Sequence, residues 1–242
     1  MGDSTKHTQL DVTVADIQRR FGPKAVTKLG QLEDAEVVPL PTGFARLDVA
    51  LGIGGVPRGH ITEFIGTPTS GVGTLALKLI ASAHAIGDMA VYLDLSHTFD
   101  ADYAVRCGIA LHDVLIVRPH SAAEALDIAY SLVSNRSAGV IIYDAAFAPR
   151  EMPNPASVNR LLAPLAESAC AYVWLSATNG RPPSVDGISQ RLHLQREHWL
   201  KRRRDVRGYR ARVTILKNKF SPLRQPVQIT IGFSGAVSGD GV

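Results

Sequence analysis

Gly66-Thr67-Pro68-Thr69-Ser70-Gly71-Val72-Gly73-Thr74 follows a buried-strand pattern, His60 to Ile65, and precedes an Ala- and Leu-rich run, Leu75 to Ala85. Strand, glycine-bearing loop and helix in that order form the context of a phosphate-binding loop, G-x-x-x-x-G-K-[ST]. In such a loop backbone N–H groups cradle the phosphates, the lysine reaches the terminal ones and the hydroxyl holds Mg²⁺. Gly66 and Gly71 keep the glycine spacing. Val72 stands where the lysine belongs and Gly73 where the hydroxyl belongs, so neither a cation nor a metal ligand is in register. Two readings stay open. One is a structural turn that binds nothing; the other keeps nucleotide affinity through backbone N–H groups and the helix dipole, with Thr74 standing in one residue late.

Working outward, Met89 to Leu95, Val114 to Val117, Gly139 to Asp144 and Ala171 to Leu175 read as short buried strands. They alternate with helical stretches that include Ala104 to Ile109, Ala122 to Leu132 and Val158 to Cys170. Alternation at this spacing implies parallel pairing with right-handed crossovers, an α/β fold with a doubly wound, mainly parallel sheet. Ligands of such sheets bind outside the carboxyl ends of the strands, where Gly66, Asp94 and Asp144 fall. Upstream, Val14, Ile17, Phe21 and Val26 suggest a helix over residues 11–29, capped near Asp11 or Thr13 and broken at Gly22-Pro23. Residues 30–41 read as an exposed acidic connector. Downstream, Arg191 to Leu200, Tyr209 to Lys217 and Gln225 to Phe233 predict antiparallel edge strands, with a turn at Asp205 to Gly208. The Gly/Ser-rich stretch from Gly235 predicts a frayed tail. The organisation expected is an arm over 1–40, a core over 41–234 and a flexible tail over 235–242.

Composition is that of a globular chain: 242 residues, 45% hydrophobic and 20% charged. Cys107 and Cys170 have neither metal-ligand nor disulfide-framework spacing, which fits a reducing compartment. No metal site is expected. With no leader-like apolar segment at the start and no apolar run of about 18 residues, a cytoplasmic protein without membrane spans is expected. Charge is lopsided. Of 26 Lys and Arg and 22 Asp and Glu, 12 and two fall between Arg191 and Arg224, so a segment of +10 adjoins a remainder of −6. That excess suits a polyanion or an acidic partner. Lys201, Arg202, Arg203, Arg204, Arg207 and Arg210 are the candidate phosphate contacts, with Trp199 and Tyr209 as candidate base-stacking rings; a solvated hairpin is the plainer reading.

The order of landmarks resembles the core of the RecA recombinases. Ile17-Gln18-Arg19-Arg20-Phe21-Gly22 with Lys28-Leu29-Gly30 looks like the end of that family's polymerisation helix. Pro41-Thr42-Gly43, Leu47-Asp48, Ala50-Leu51-Gly52 and Gly54 to Gly59 resemble its approach to the phosphate loop. Leu93 to Asp100 with Tyr103 is similar to its second motif strand. Leu216-Lys217-Asn218-Lys219-Phe220 with Pro222 is similar to its basic hairpin. The resemblance runs from about residue 14 to 234.

The departures carry as much as the matches. The resemblance implies that Val72 replaces the loop lysine, Gly73 the metal-binding threonine and Ser96 the water-activating glutamate, so that each named contribution to phosphoryl transfer is lost together. It also implies that the coupling glutamine, expected near Ser176-Ala177, is missing, that the loops after Asp144 and Leu175 are shortened, and that the family's C-terminal domain is absent. Within the family the pattern is similar to the ImuA branch, an ATPase-degenerate paralogue associated with damage-induced translesion synthesis.

The function these features imply is a non-catalytic filament adaptor or capper in DNA repair and the SOS response. Its partners would be RecA and a translesion polymerase assembly, with DNA contact and self-association left open. Ile17, Phe21, Lys217 and Lys219 are the candidate partner interface; in the family the two lysines reach a neighbour's nucleotide. Gly66, Gly71, Thr74, Asp100, Tyr103 and Asp144 mark where any residual ATP binding would occur, with no cofactor as the first expectation. For Tyr103 packing competes with adenine contact, and for Asp144 a strand-end cap competes with a metal role. The alternatives are a weak nucleotide-binding ATPase and a stand-alone DNA-binding module.

Overall fold

The computed structural model describes residues 3–22, 26, 37–148, 155–177, 187–234 and 237–238. The segment matched to the polymerisation helix's end at Lys28-Leu29-Gly30, most of the acidic connector, and residues 149–154 and 178–186 of the loops that follow Asp144 and Leu175 lie outside them. The chain divides into two compact units, Met1–Val37 and Val38–Val242.

The first unit carries helix α1, Asp3–Phe21. It starts earlier than the cap at Asp11 or Thr13 that the sequence suggests. Nothing between Asp3 and Leu10 breaks a helix, and the Thr13 hydroxyl donates back to the Gln9 carbonyl (2.9 Å), the habit of a mid-helix threonine. Gly22, at φ +97°, ends it as expected, with its N–H on the Gln18 carbonyl (2.9 Å).

The second unit is built on one mixed sheet. Its strands are β3 Ile61–Gly66, β4 Ala90–Asp94, β5 Val114–Val117, β6 Val140–Asp144, β7 Ala171–Ser176, β8 Ile188–Arg202, β9 Asp205–Asn218, β10 Val227–Gly232 and β11 Val237–Ser238. Among the described residues these nine strands run in the order β11-β10-β9-β8-β3-β7-β6-β4-β5. A separate two-stranded ribbon joins β1, Pro39–Leu40, to β2, Val56–Pro57. From β8 to β5 every pairing is parallel, and β8, β9, β10 and β11 pair antiparallel. The expected doubly wound sheet with antiparallel edge strands is therefore the observed one. The Gly/Ser-rich stretch contributes β11.

Burial is why these strands are legible in the sequence. Every residue of β3, β4, β6 and β7 is buried, so these strands read as continuous apolar runs, as parallel strands covered on both faces must. One face packs on α2 (Ala45–Leu51), α3 (Val72–His84) and α4 (Ala101–Arg106). The other packs on α5 (Ala122–Ser134) and α6 (Pro155–Glu167), with Tyr143, Tyr172 and Trp174 at its centre. Ser121 caps α5 by accepting from the Glu124 N–H, and the Glu124 carboxylate reaches back to the His120 N–H (2.7 Å).

The turn of the β8–β9 hairpin differs from expectation. Arg202 pairs with Asp205, so the turn is Arg203-Arg204, with Arg203 at φ +58°, and Asp205 to Gly208 belongs to β9. The register is set further back, where Trp199 faces Tyr209 and irregularities after Arg196 and Leu200 absorb extra residues.

A charged group sits in the middle of the sheet. The Glu63 carboxylate, on β3, accepts from the Ser176 hydroxyl of β7 (2.8 Å) on one oxygen and from Arg191 Nε of β8 (2.5 Å) on the other. It is 1% exposed. Removing one member of such a pair strands a buried charge, at a cost of about 3 kcal/mol or more. Arg191→Ala should thus lower the urea unfolding free energy by about that much at unchanged slope; a loss within measurement error would show the clamp to be idle.

Candidate functional site

The loop after β3 is shaped by its two glycines. Gly71 sits at φ +109°, and a Cβ there would lie 2.8 Å from Ile231 Cδ1 of β10. A Cβ on Gly66 would lie 2.1 Å from Ser70 Oγ and 2.9 Å from Val72 Cγ1. The Ser70 and Val72 side chains therefore fold inward over Gly66. Val72 is 6% exposed, and the buried Ser70 hydroxyl has no hydrogen-bond partner among the described residues. Gly73 differs: a Cβ there would meet nothing within 4 Å.

In front of the loop lies a cavity of about 360 Å³, at the carboxyl ends of the strands as the topology requires. Val72, Leu77, Phe99, Phe147 and Leu175 give it apolar walls, and among the described residues no lysine or arginine lines it. Gly71, Thr74, Asp100, Tyr103 and Asp144, all singled out from the sequence, line it together; Gly66 closes β3 behind them. The Thr74 hydroxyl is 2.9 Å from the Tyr103 phenol oxygen, so Thr74 is engaged inside the protein. Burial, the largest influence, pushes the Tyr103 phenol up to about 12, which keeps it protonated at any working pH.

Two carboxylates shape the rim. Asp100 accepts from the Tyr103 N–H (2.9 Å) and caps α4. Asp144 is 2% exposed and accepts from four donors: the Tyr92 phenol (2.6 Å), the Ser96 and Thr98 hydroxyls (3.2 Å each) and the Ala146 N–H (3.0 Å). Burial first and the Asp144 charge second hold the Tyr92 phenol well above its ordinary range, so it stays a donor. Ser96 also accepts from the Phe147 N–H (2.9 Å). Asp94, wholly buried beside Asp144, accepts from the Thr98 N–H (2.9 Å) and so fixes the turn that includes His97 at φ +53°.

Several wall residues escaped the sequence reading. Leu175 and Tyr92 were legible as strand residues, but their place in the wall follows from register. Tyr209, which also lines the cavity, comes from the hairpin 135 positions beyond Thr74 and carries no local signal; in the sequence it was a stacking candidate.

The remaining candidates lie elsewhere. Lys201, Arg202, Arg203, Arg204 and Arg207 are exposed at the hairpin's end, and Arg210 is half-buried. Lys217 pairs with Arg191, and the Lys219 N–H donates to the Ser189 carbonyl (3.1 Å), which puts Lys219 level with the amino end of β3, away from the loop. Its charge, after burial, depresses the His60 imidazole. On α1, Ile17 is half-buried and Phe21 is 75% exposed. Among the described residues no cluster of three His, Cys, Asp or Glu could hold a metal ion, and no helix is long and apolar enough to cross a membrane.

A doubly wound sheet with a glycine loop, a wall cavity and an antiparallel basic extension defines a phosphate-loop type of core. The sequence profile described as the RecA N-terminal domain matches residues 8–155. "Protein RecA" of Chloroflexus aurantiacus (strain ATCC 29364) is 31% identical over 98% of this chain and 76% of its own length. "Protein RecA" of Aquifex aeolicus is 31% identical over 99% and 77%, and that of Citrifermentans bemidjiense 30% identical over 96% and 78%. The chain belongs to the RecA family.

A restored loop is a direct check on what these substitutions do. Val72→Lys with Gly73→Thr should raise affinity for a fluorescent Mg–ATP analogue roughly tenfold or more, the worth of one charge-assisted hydrogen bond of about 1.5 kcal/mol. No gain in a variant whose circular dichroism is unchanged would mean that the loop's residues do not limit binding.

Proposed function

We propose that this chain is a non-catalytic RecA paralogue acting in DNA repair and damage-induced translesion mutagenesis, as an adaptor or capper of the RecA filament. Family membership supports the coarser part, a role in recombination and repair. The finer part rests chiefly on one observation: Val72 is folded over the loop in the lysine's place, and no cation among the described residues lines the cavity. The residues do not fit a magnesium–nucleoside triphosphate. Phosphate oxygens would meet apolar wall and the Asp100 and Asp144 carboxylates, and Asp144 already holds four internal donors.

What remains suits partner binding. α1 presents Leu10, Val12 and Phe21 exposed. At the far edge of the sheet, β5 pairs only with β4 among the described residues and leaves Leu115 exposed, an acceptor for a further strand. Lys217 and Lys219 give a basic edge for an anionic group on a neighbour. The partners are RecA and, through it, a translesion polymerase assembly, with DNA contact through the Lys201 to Arg210 hairpin.

Co-sedimentation with RecA filaments on single-stranded DNA tests this reading. The chain should pellet with the filaments, and Ile17→Asp with Phe21→Asp should weaken pelleting at least tenfold, about 1.4 kcal/mol. A wild-type chain that stays in the supernatant, or a double variant that pellets equally well, would contradict it. The cavity, with Thr74, Asp100 and Tyr103 in place, favours one second reading, a weakly nucleotide-binding ATPase. That alternative requires phosphate release above buffer background that falls in Asp144→Ala.

A further inference from the structure

β8 runs parallel to β3 only as far as the Gly66–Leu194 pair. From Gln195 to Arg202 it continues beyond the sheet's carboxyl edge, roughly 26 Å at ~3.3 Å per residue. It carries β9 on one side and no strand on the other among the described residues. On this projecting ribbon three rings meet. Trp199 lies 5.8 Å from Tyr209 and 6.3 Å from Phe233, and Tyr209 lies 6.2 Å from Phe233. Trp199 and Phe233 remain 46% and 41% exposed, while Tyr209 is buried beneath them. The neighbouring rings meet Trp199 at 78° and 64°, in T-shaped contact rather than stacked on it. The Arg196 guanidinium stands 4.1 Å over the Trp199 ring and is held there by a hydrogen bond to the Thr69 hydroxyl. The Phe233 N–H donates to the Arg207 carbonyl (2.9 Å), which ties that ring to the hairpin.

The charge around these rings is uncompensated. The two acids of the segment are taken: Glu197 by Arg212 and Gln228, Asp205 by Arg207 (3.1 Å). The Arg212 contact holds the Glu197 carboxyl below the usual carboxylate range. Lys201, Arg202, Arg203 and Arg204 are exposed and have no carboxylate partner among the described residues.

An apolar protein surface would cover the rings but bury four unpaired cations beside them. A nucleic-acid duplex would neutralise the cations but offer the rings no free base. A single strand answers both, since its bases have open faces and its backbone carries the phosphates. We infer that the Trp199–Phe233 corner is a base-stacking platform for single-stranded nucleic acid, with Lys201 to Arg204 neutralising the adjoining phosphates. This rests on the reading that the basic hairpin contacts nucleic acid, and it adds the strand state and the residues that select it.

The test uses the full chain with labelled oligothymidylate and a duplex of equal length at one fixed salt concentration. Wild type should bind the single strand more tightly and show Trp199 fluorescence quenched at saturation, Trp174 being buried. Trp199→Ala should lose roughly tenfold of single-strand affinity, about 1.4 kcal/mol, with duplex affinity and RecA co-sedimentation within twofold of wild type. Trp199→Tyr, which keeps a stacking ring, should recover most of the loss. Single-strand affinity unchanged in Trp199→Ala, or an equal loss on both substrates, would overturn the platform while leaving DNA contact by the hairpin standing. Binding of neither substrate by wild type would overturn both.

Discussion

The Glu63 carboxylate, buried in the middle of β3, takes the Ser176 hydroxyl of β7 on one oxygen and the Arg191 guanidinium of β8 on the other. A bare carboxylate could not stay charged at that depth. With both neighbours supplied, it fixes the lateral order of the three central strands. Everything that matters for function hangs from their carboxyl ends: β3 leads into the glycine loop, β7 supplies Leu175 to the cavity wall, and β8 runs on into the basic ribbon. A slip of one residue in β8 would bring Gln190 or Leu192 opposite Glu63 in place of Arg191.

Past that clamp, the loop end is packed as interior. Ser70 and Val72 close over Gly66, Ile231 and Tyr209 press on Gly71, and Thr74 is tied to Tyr103. Asp144 serves as a tie between β4 and β6 through Tyr92, Ser96 and Thr98. A valine folded inward is stabilised by the apolar wall it joins, and a serine at 96 shares a carboxylate that would otherwise need a counter-ion. Thr74, Ser96 and Asp144 thus have partners within the chain, while the Ser70 hydroxyl has none among the described residues.

Much of this was legible beforehand because parallel strands buried on both faces advertise themselves as apolar runs. β3, β4, β6 and β7, with Gly66, Asp94 and Asp144 at their ends, follow from that pattern and from the rule for ligand sites in wound sheets. The hairpin was legible in kind but not in detail. Arg203-Arg204 has no glycine, asparagine or aspartate to announce a turn, and the pairing of Trp199 with Tyr209 that sets the register is a tertiary fact. The early start of α1 was hidden for a similar reason, since Asp3 to Leu10 lacks an apolar stripe. Tyr209 in the cavity wall and Glu63 in its clamp depend on residues more than a hundred positions away, and no window of sequence contains both halves.

The proposed absence of nucleotide from the cavity has a direct thermodynamic readout. A ligand that binds only the folded chain raises its melting temperature by mass action, by about 2.7 kcal/mol at a hundredfold excess over Kd. A thermal melt of the wild-type chain in millimolar Mg–ATP should coincide with the melt in Mg²⁺ alone. A saturable rise in melting temperature, abolished by substitution of Thr74 or Tyr103, would contradict the account.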